Sequence, residues 1–173
     1  MLTAFAIVML TLAASSACLL LLSLSASRPP DLGIRDGRLA PCPASPNCVS
    51  TQAEDRDHWI APLTCHGDPA AVIDALCEII EELPRTQVIE KTENYLYVEF
   101  RSAVFRFVDD VEFYVEEDSS RVHLRSASRV GHSDLGVNRE RMELIRQKFQ
   151  TTQSKPQVEL HLMEPQLESH AVH

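Results

Sequence analysis

Residues 2–24 read LTAFAIVMLTLAASSACLLLLSL and contain no charged side chain. Twenty-three apolar or small residues make a helix of roughly 35 Å, enough to cross the hydrocarbon core of a bilayer. A soluble core helix of that length would need a polar face, and none is present. The apolar region of a cleaved signal peptide is usually about 7–15 residues behind a basic start. Here no Lys or Arg precedes Arg28. The length therefore favours a retained membrane helix, with cleavage near Ser25-Ala26-Ser27 as the alternative. Everything else the chain folds must be built from the residues that follow, so residues 1–27 are expected to be an anchor or signal segment and 28–40 a linker.

The body after this run carries an excess of acid. The whole chain has a formal charge of −9. Between Arg121 and Lys148, however, seven Lys/Arg stand against three Asp/Glu, a local +4 that leaves −13 for the rest. An acidic total with one small basic stretch excludes a general nucleic-acid binder, which needs a dominant basic face. A single anionic group on that stretch remains compatible with it.

Five cysteines are present. Cys42 and Cys48 enclose the Pro-rich segment CPASPNC, and their spacing suits a disulfide-closed loop in an oxidising compartment. Free thiols and a metal site are the alternatives. The metal reading lacks nearby ligands, since only the distant Cys65 and His66 offer themselves. Orientation is contested: Arg28, Arg35 and Arg38 follow the apolar run and favour the cytoplasmic side, whereas the paired cysteines favour an exported body. Export is the expectation.

Pro29, Pro30, Pro41, Pro43, Pro46 and Pro62 predict an extended, irregular arm, pinned to the core by Trp59 and Ile60. Asp68-Pro69 then opens a helix, with Val72, Leu76, Ile79, Ile80 and Leu83 on one stripe, and Pro84 ends it. From 87 to 130 the pattern alternates. Leu96, Val98 and Phe100 share one face, as do Phe105, Phe107, Val111, Phe113 and Val115, and then Val122 and Leu124. Asp109 falls on the apolar parity. It must be relieved by a bulge or be buried and paired, with Arg139 or Arg141 as the arginine that reaches it from the next helix. Glu117–Ser120 reads as a turn. Asn138 is placed to cap a helix whose stripe is Met142, Ile145 and Phe149. The predicted fold is α+β: an antiparallel sheet of about four strands with two helices on one face, one domain over 41–150 and a disordered tail over 151–173. His161, His170 and His173 lie in that tail at irregular spacing, so no metal site is expected there.

Two functional readings of the basic segment stand side by side. In the first, Arg125, Arg129 and Arg139, with Ser126, Ser128, Asp134 and the helix start at Asn138, hold an anion or a charged partner. In the second, the arginines pair with Asp109, Asp110 or Asp134 in a structural network. Catalysis has less support. Ser126 or Ser128 with His123 or His132 and Asp134 supplies the residue types of a hydrolase triad, but no nucleophile elbow surrounds either serine. Asp109 and Asp110 are adjacent in a strand, so they point to opposite faces. An enzyme acting through Asp109, Asp110, Arg125 and Arg129 is therefore the runner-up, and an interaction module using the tyrosine-bearing sheet face is the third reading. No cofactor is expected, and the membrane is the expected partner of residues 2–24.

Three separated motifs, CPASPNCVST, FRFVDDVEF and RSASRVGHSDLGVNRERMELIRQKF, together resemble a bacterial and plastid family known as domain-of-unknown-function family 1499. The resemblance spans about Pro41 to Phe149. It implies that Cys42, Cys48, Asp109, Asp110, Arg125, Ser126, Ser128, Arg129, Gly131, Asp134, Gly136, Asn138 and Arg139 are characteristic positions. It also implies a signal or membrane segment at the N-terminus. It implies no activity.

Overall fold

The computed structural model describes residues 1–117 and 120–154. Asp118 and Ser119 of the expected turn, and the tail from residue 155 with its three histidines, lie outside the described residues. The apolar run forms helix α1, Leu2–Ser25. Its segment Thr3–Ser25 is long and apolar enough to cross a membrane. Helix α2 spans Pro69–Glu81 and helix α3 Val137–Gln153. The strands are β1 (Cys48–Ser50), β2 (Leu63–Thr64), β3 (Thr86–Lys91), β4 (Tyr95–Arg101), β5 (Val108–Val115) and β6 (Arg121–Ser128).

These strands make one open antiparallel sheet in the order β1-β6-β5-β4-β3, with β2 also paired to β6. The sheet has six strands, not about four. The additional two come from the proline-rich arm, where strands of three and two residues are too short to show a period. They are held because β6 offers its free edge: Cys48 lies opposite Ala127, and Leu63 opposite Val122.

The helices pack on one face. Leu96, Val98 and Phe100 of β4, Val111, Phe113 and Val115 of β5, and Val122 and Leu124 of β6 meet Val72, Ile73, Leu76 and Ile80 of α2 and Met142, Ile145 and Phe149 of α3. Alternation in the strands and a 3.6-residue stripe in the helices make this face apolar from both sides. The alternation does not extend to Phe105 and Phe107. They belong to the β4–β5 turn, where Arg106 has φ 59° and the Phe107 amide donates to the Ser102 hydroxyl. Asp68 precedes α2 without a side-chain cap bond, so Pro69 at the first position carries the start signal.

The second face of the sheet is also covered. Residues 28–40, expected to be a linker, lie across it as a strap. Leu32, Ile34 and Leu39 pack on Tyr95, Tyr97 and Tyr114. The strap turns at Asp36-Gly37, both at positive φ, and closes through reciprocal backbone bonds between Arg35 and Arg38. It is pinned by Gln52, whose side chain accepts from the Leu39 amide and donates to the Gly37 carbonyl. The chain therefore runs from α1 directly into the fold.

Candidate functional site

The three motif segments converge on β6, and that strand divides their polar groups between two faces. Residues of even number from Val122 to Ser128 face the helices, and His123, Arg125 and Ala127 face the strap. Between the sheet and α3 lies one closed network. Asp109, in β5, accepts from the Ser128 hydroxyl at 2.5 Å and from Arg141 at 2.6 Å. Arg141 also donates to the Asn138 side-chain oxygen at 2.6 Å and stacks 4.6 Å from the Phe100 ring centre. The same Asn138 oxygen accepts from the Ser126 hydroxyl at 2.5 Å, while its amide donates to the Ser128 hydroxyl and the Asn47 carbonyl. Asn47 donates in turn to the Gly131 carbonyl at 2.6 Å. The disulfide between Cys42 and Cys48, with Cα atoms 5.7 Å apart, shapes the loop that presents Asn47. The arginine that reaches the buried Asp109 is Arg141. Arg139 instead points to the backbone carbonyls of Trp59 and Asp57.

The start of α3 differs from the expectation. The helix begins at Val137, its N-cap is Gly136 at φ 86°, and the Asn138 side chain is drawn into the core rather than capping. The vacant backbone donors are served by Asp134, which accepts from the amides of Gly136 and Asn138. An external anion at this helix end would meet a carboxylate already seated there.

Between the sheet and the strap lies a second buried layer. Arg129 donates through Nε and Nη2 to both oxygens of Asp110, at 2.9 and 2.7 Å, and reaches Glu99 and the Tyr97 hydroxyl as well. Asp110 also accepts from Tyr97 at 2.6 Å. Glu99 is shared further with Arg28 at 2.9 Å and Arg101 at 2.7 Å. Glu112, fully buried, accepts from the Tyr95 hydroxyl and the Gly33 amide, each at 2.8 Å, and faces Arg125 at 3.4 Å. Arg125 and Arg129 are thus each paired with a carboxylate. Their side chains do leave the sheet opposite Val122 and Leu124, but the strap covers that face, and an arginine buried there needs a carboxylate. The same cover removes the tyrosine-bearing face from solvent.

The electrostatics follow from burial and pairing. Burial works against the Arg129 charge, but the bonds to Asp110 and Glu99 outweigh it and hold the guanidinium protonated. Burial pushes the Tyr95 and Tyr97 hydroxyls up, with their carboxylate partners adding to the effect. It also pushes the Glu112 carboxyl up, against the pull of Gly33, Tyr95 and Arg125. For Glu99, burial raises the pKa, yet the bonds from Arg28 and Arg129 and the nearby charges bring it below the ordinary range.

A pH dependence results. A lowered folded pKa means stability that is present above the unfolded Glu value of about 4.3 and is lost as pH falls through the folded value. Glu112 contributes with the opposite sign, and its share is lost as pH rises through its raised value. Urea unfolding between pH 7 and 3 is expected to show an acid-side fall in stability that is shallower in Glu99→Gln. Equal slopes in the two proteins would exclude Glu99 as its source.

Of the residues singled out in the sequence, Ser126, Ser128, Asp109 and Asn138 come together on the helix side. Arg125, Arg129 and Asp110 come together on the strap side. Asp134 and Arg139 stay at the surface. Asp109 and Asp110 do not converge, and Ser128 donates to Asp109 while His123 lies on the other face, bonded to Thr51. No triad forms among them. Sequence reasoning missed the parts played by Glu99, Glu112, Arg28 and Asn47. Among the described residues, no cluster of three metal-ligating side chains occurs.

An open cleft lies elsewhere. A cleft of about 530 Å³ is bounded by the strap, the disulfide and the segment after β1, including Arg35, Arg38, Cys42, Gln52 and Glu54. No curated protein matches the chain. A family model described as a protein of unknown function, DUF1499, matches residues 38–149, the stretch holding the disulfide loop, the whole sheet, α2 and most of α3. The chain therefore belongs to the DUF1499 family.

Proposed function

We propose that the protein is a non-enzymatic component of the cell envelope, held in the membrane by α1 with its body exported, and that it meets a partner at the strap cleft. The apolar helix and the disulfide support the location. One observation carries the functional part. The buried arginines and carboxylates of the family motifs are committed to one another, whereas the strap cleft is open and joins three separate segments. Its rim carries Arg35 and Arg38 together with Asp31 and Glu54. That mixed charge fits a polar segment of a protein partner better than a lone anion. A photo-crosslinking residue in place of the exposed Glu54, in native membranes, is expected to give a discrete protein adduct. Arg35→Glu/Arg38→Glu in the same background should abolish it. An unchanged adduct in that variant, or none in either, overturns the reading.

A second reading keeps an anion at the basic strand-loop-helix. It is favoured by Arg139, whose donors meet only backbone carbonyls.

A further inference from the structure

We infer that the β4–β5 turn and the β6–α3 loop form a bilayer-facing surface that seats the body against the lipid headgroups; the inference rests on α1 being a retained membrane helix. Its starting point is where the end of α1 lies. Leu19 and Leu22 line a cavity together with Ser102 and Phe107 of the β4–β5 turn, Val130 and Asp134 of the β6–α3 loop and Val137 at the start of α3. Ser23, one position on, is buried. At 1.5 Å per residue, Leu22 and Leu19 lie about 5–9 Å before the last helical residue, Ser25. The apolar core of a bilayer takes up about 20 residues, and α1 has 24, so its final turns stand at the interface between acyl chains and headgroups. Protein atoms that share a cavity with Leu19 and Leu22 are thereby held at the same depth.

The two loops and the start of α3 carry what such a position requires. Val104 is 72% exposed, Leu135 90% and Val137 45%. Leu135 is held outward at φ 57°, a conformation that is costly for a leucine. Its amide is tied to the Ser133 hydroxyl, and Gly136 and Asn138 are tied to Asp134, so the loop is built to present the side chain. Arg106, exposed in the β4–β5 turn, supplies a cation at headgroup level. Apolar tips with an arginine beside them match the interfacial zone, where side chains dip about 5–10 Å and cations meet phosphate. The opposite end of the sheet, at the β3–β4 turn, carries Thr92, Glu93 and Asn94 and lacks such tips.

The test uses the full chain in phosphatidylcholine vesicles. In a Trp59→Phe background, single tryptophans are introduced as Val104→Trp, Leu135→Trp and, for the far end, Glu93→Trp. All three positions are exposed, so the replacements displace no packed side chain. Probes at 104 and 135 are expected to emit at shorter wavelength and to lose emission when the lipid is brominated near the headgroup, while the probe at 93 does neither. Vesicle-bound protein whose probes at 104 and 135 behave like the one at 93 overturns the surface and leaves the anchor standing. Protein that does not float with the vesicles overturns the anchor and the surface with it.

Discussion

Arg129→Ala is expected to lower the stability of the body by about 3–5 kcal/mol, the usual cost of removing one partner from a buried ion pair. The guanidinium is 7% exposed and bridges two carboxylates, of which Asp110 is bound through two parallel contacts and Glu99 through one. Without it Asp110 keeps the Tyr97 hydroxyl but loses its counter-charge. Glu99 keeps Arg28 and Arg101, both more exposed. The loss should appear as a fall in melting temperature of more than about 10 °C for a domain of this size. Arg139→Ala is the control, because its donors meet only exposed backbone carbonyls, and a change within about 1 kcal/mol is expected there. Equal melting temperatures for Arg129→Ala and the parent would mean that the pairing contributes nothing.

Much of this arrangement is legible in the sequence, and the remainder is hidden for a definite reason. Parity alone places Leu96, Val98, Phe100, Val122 and Leu124 on one face, puts Asp109 among them and calls for either a bulge or an arginine from the following helix. Arg141 answers. The same parity sends Tyr95, Glu99, Glu112 and Arg125 to the other face, but alternation cannot say whether that face meets water. The segment that covers it has two prolines, charged residues and only three large apolar side chains, so it reads as a linker. Asn138 shows a second limit. A capping rule weighs only local backbone donors, whereas Ser126, Ser128 and Asn47 compete for the side chain from elsewhere in the chain. Phe105 and Phe107 show a third: they keep the strand parity, and only the positive φ at Arg106 reveals the turn.

Truncation of the chain at Pro41, where the sequence resemblance begins, is expected to yield a body that does not hold its native fold, whereas a chain starting at Ala26 does. The first cut removes Leu32, Ile34 and Leu39 from Tyr95, Tyr97 and Tyr114. Even partial burial of three such side chains contributes on the order of 1 kcal/mol each. It also removes the Gly33 amide from Glu112 and Arg28 from Glu99. Bonds to charged groups are worth about 1.5–3 kcal/mol each, and Glu112 would lose one of its few partners while fully buried in the parent. Together these losses reach about 6 kcal/mol, comparable with the whole stability of a typical domain at about 5–15 kcal/mol. Water entering over the polar layer would recover part of it by hydrating Glu99, Glu112 and Asp110, so a partly ordered state is the expected product rather than a random chain. Amide exchange distinguishes the outcomes. In the chain from Ala26, β4, β5 and β6 should be protected throughout. In the chain from Pro41, protection should fall across these three strands together, since the strap side chains and the ion pairs rest on all of them. Full protection in the shorter chain would make 28–40 a tether and not a part of the fold.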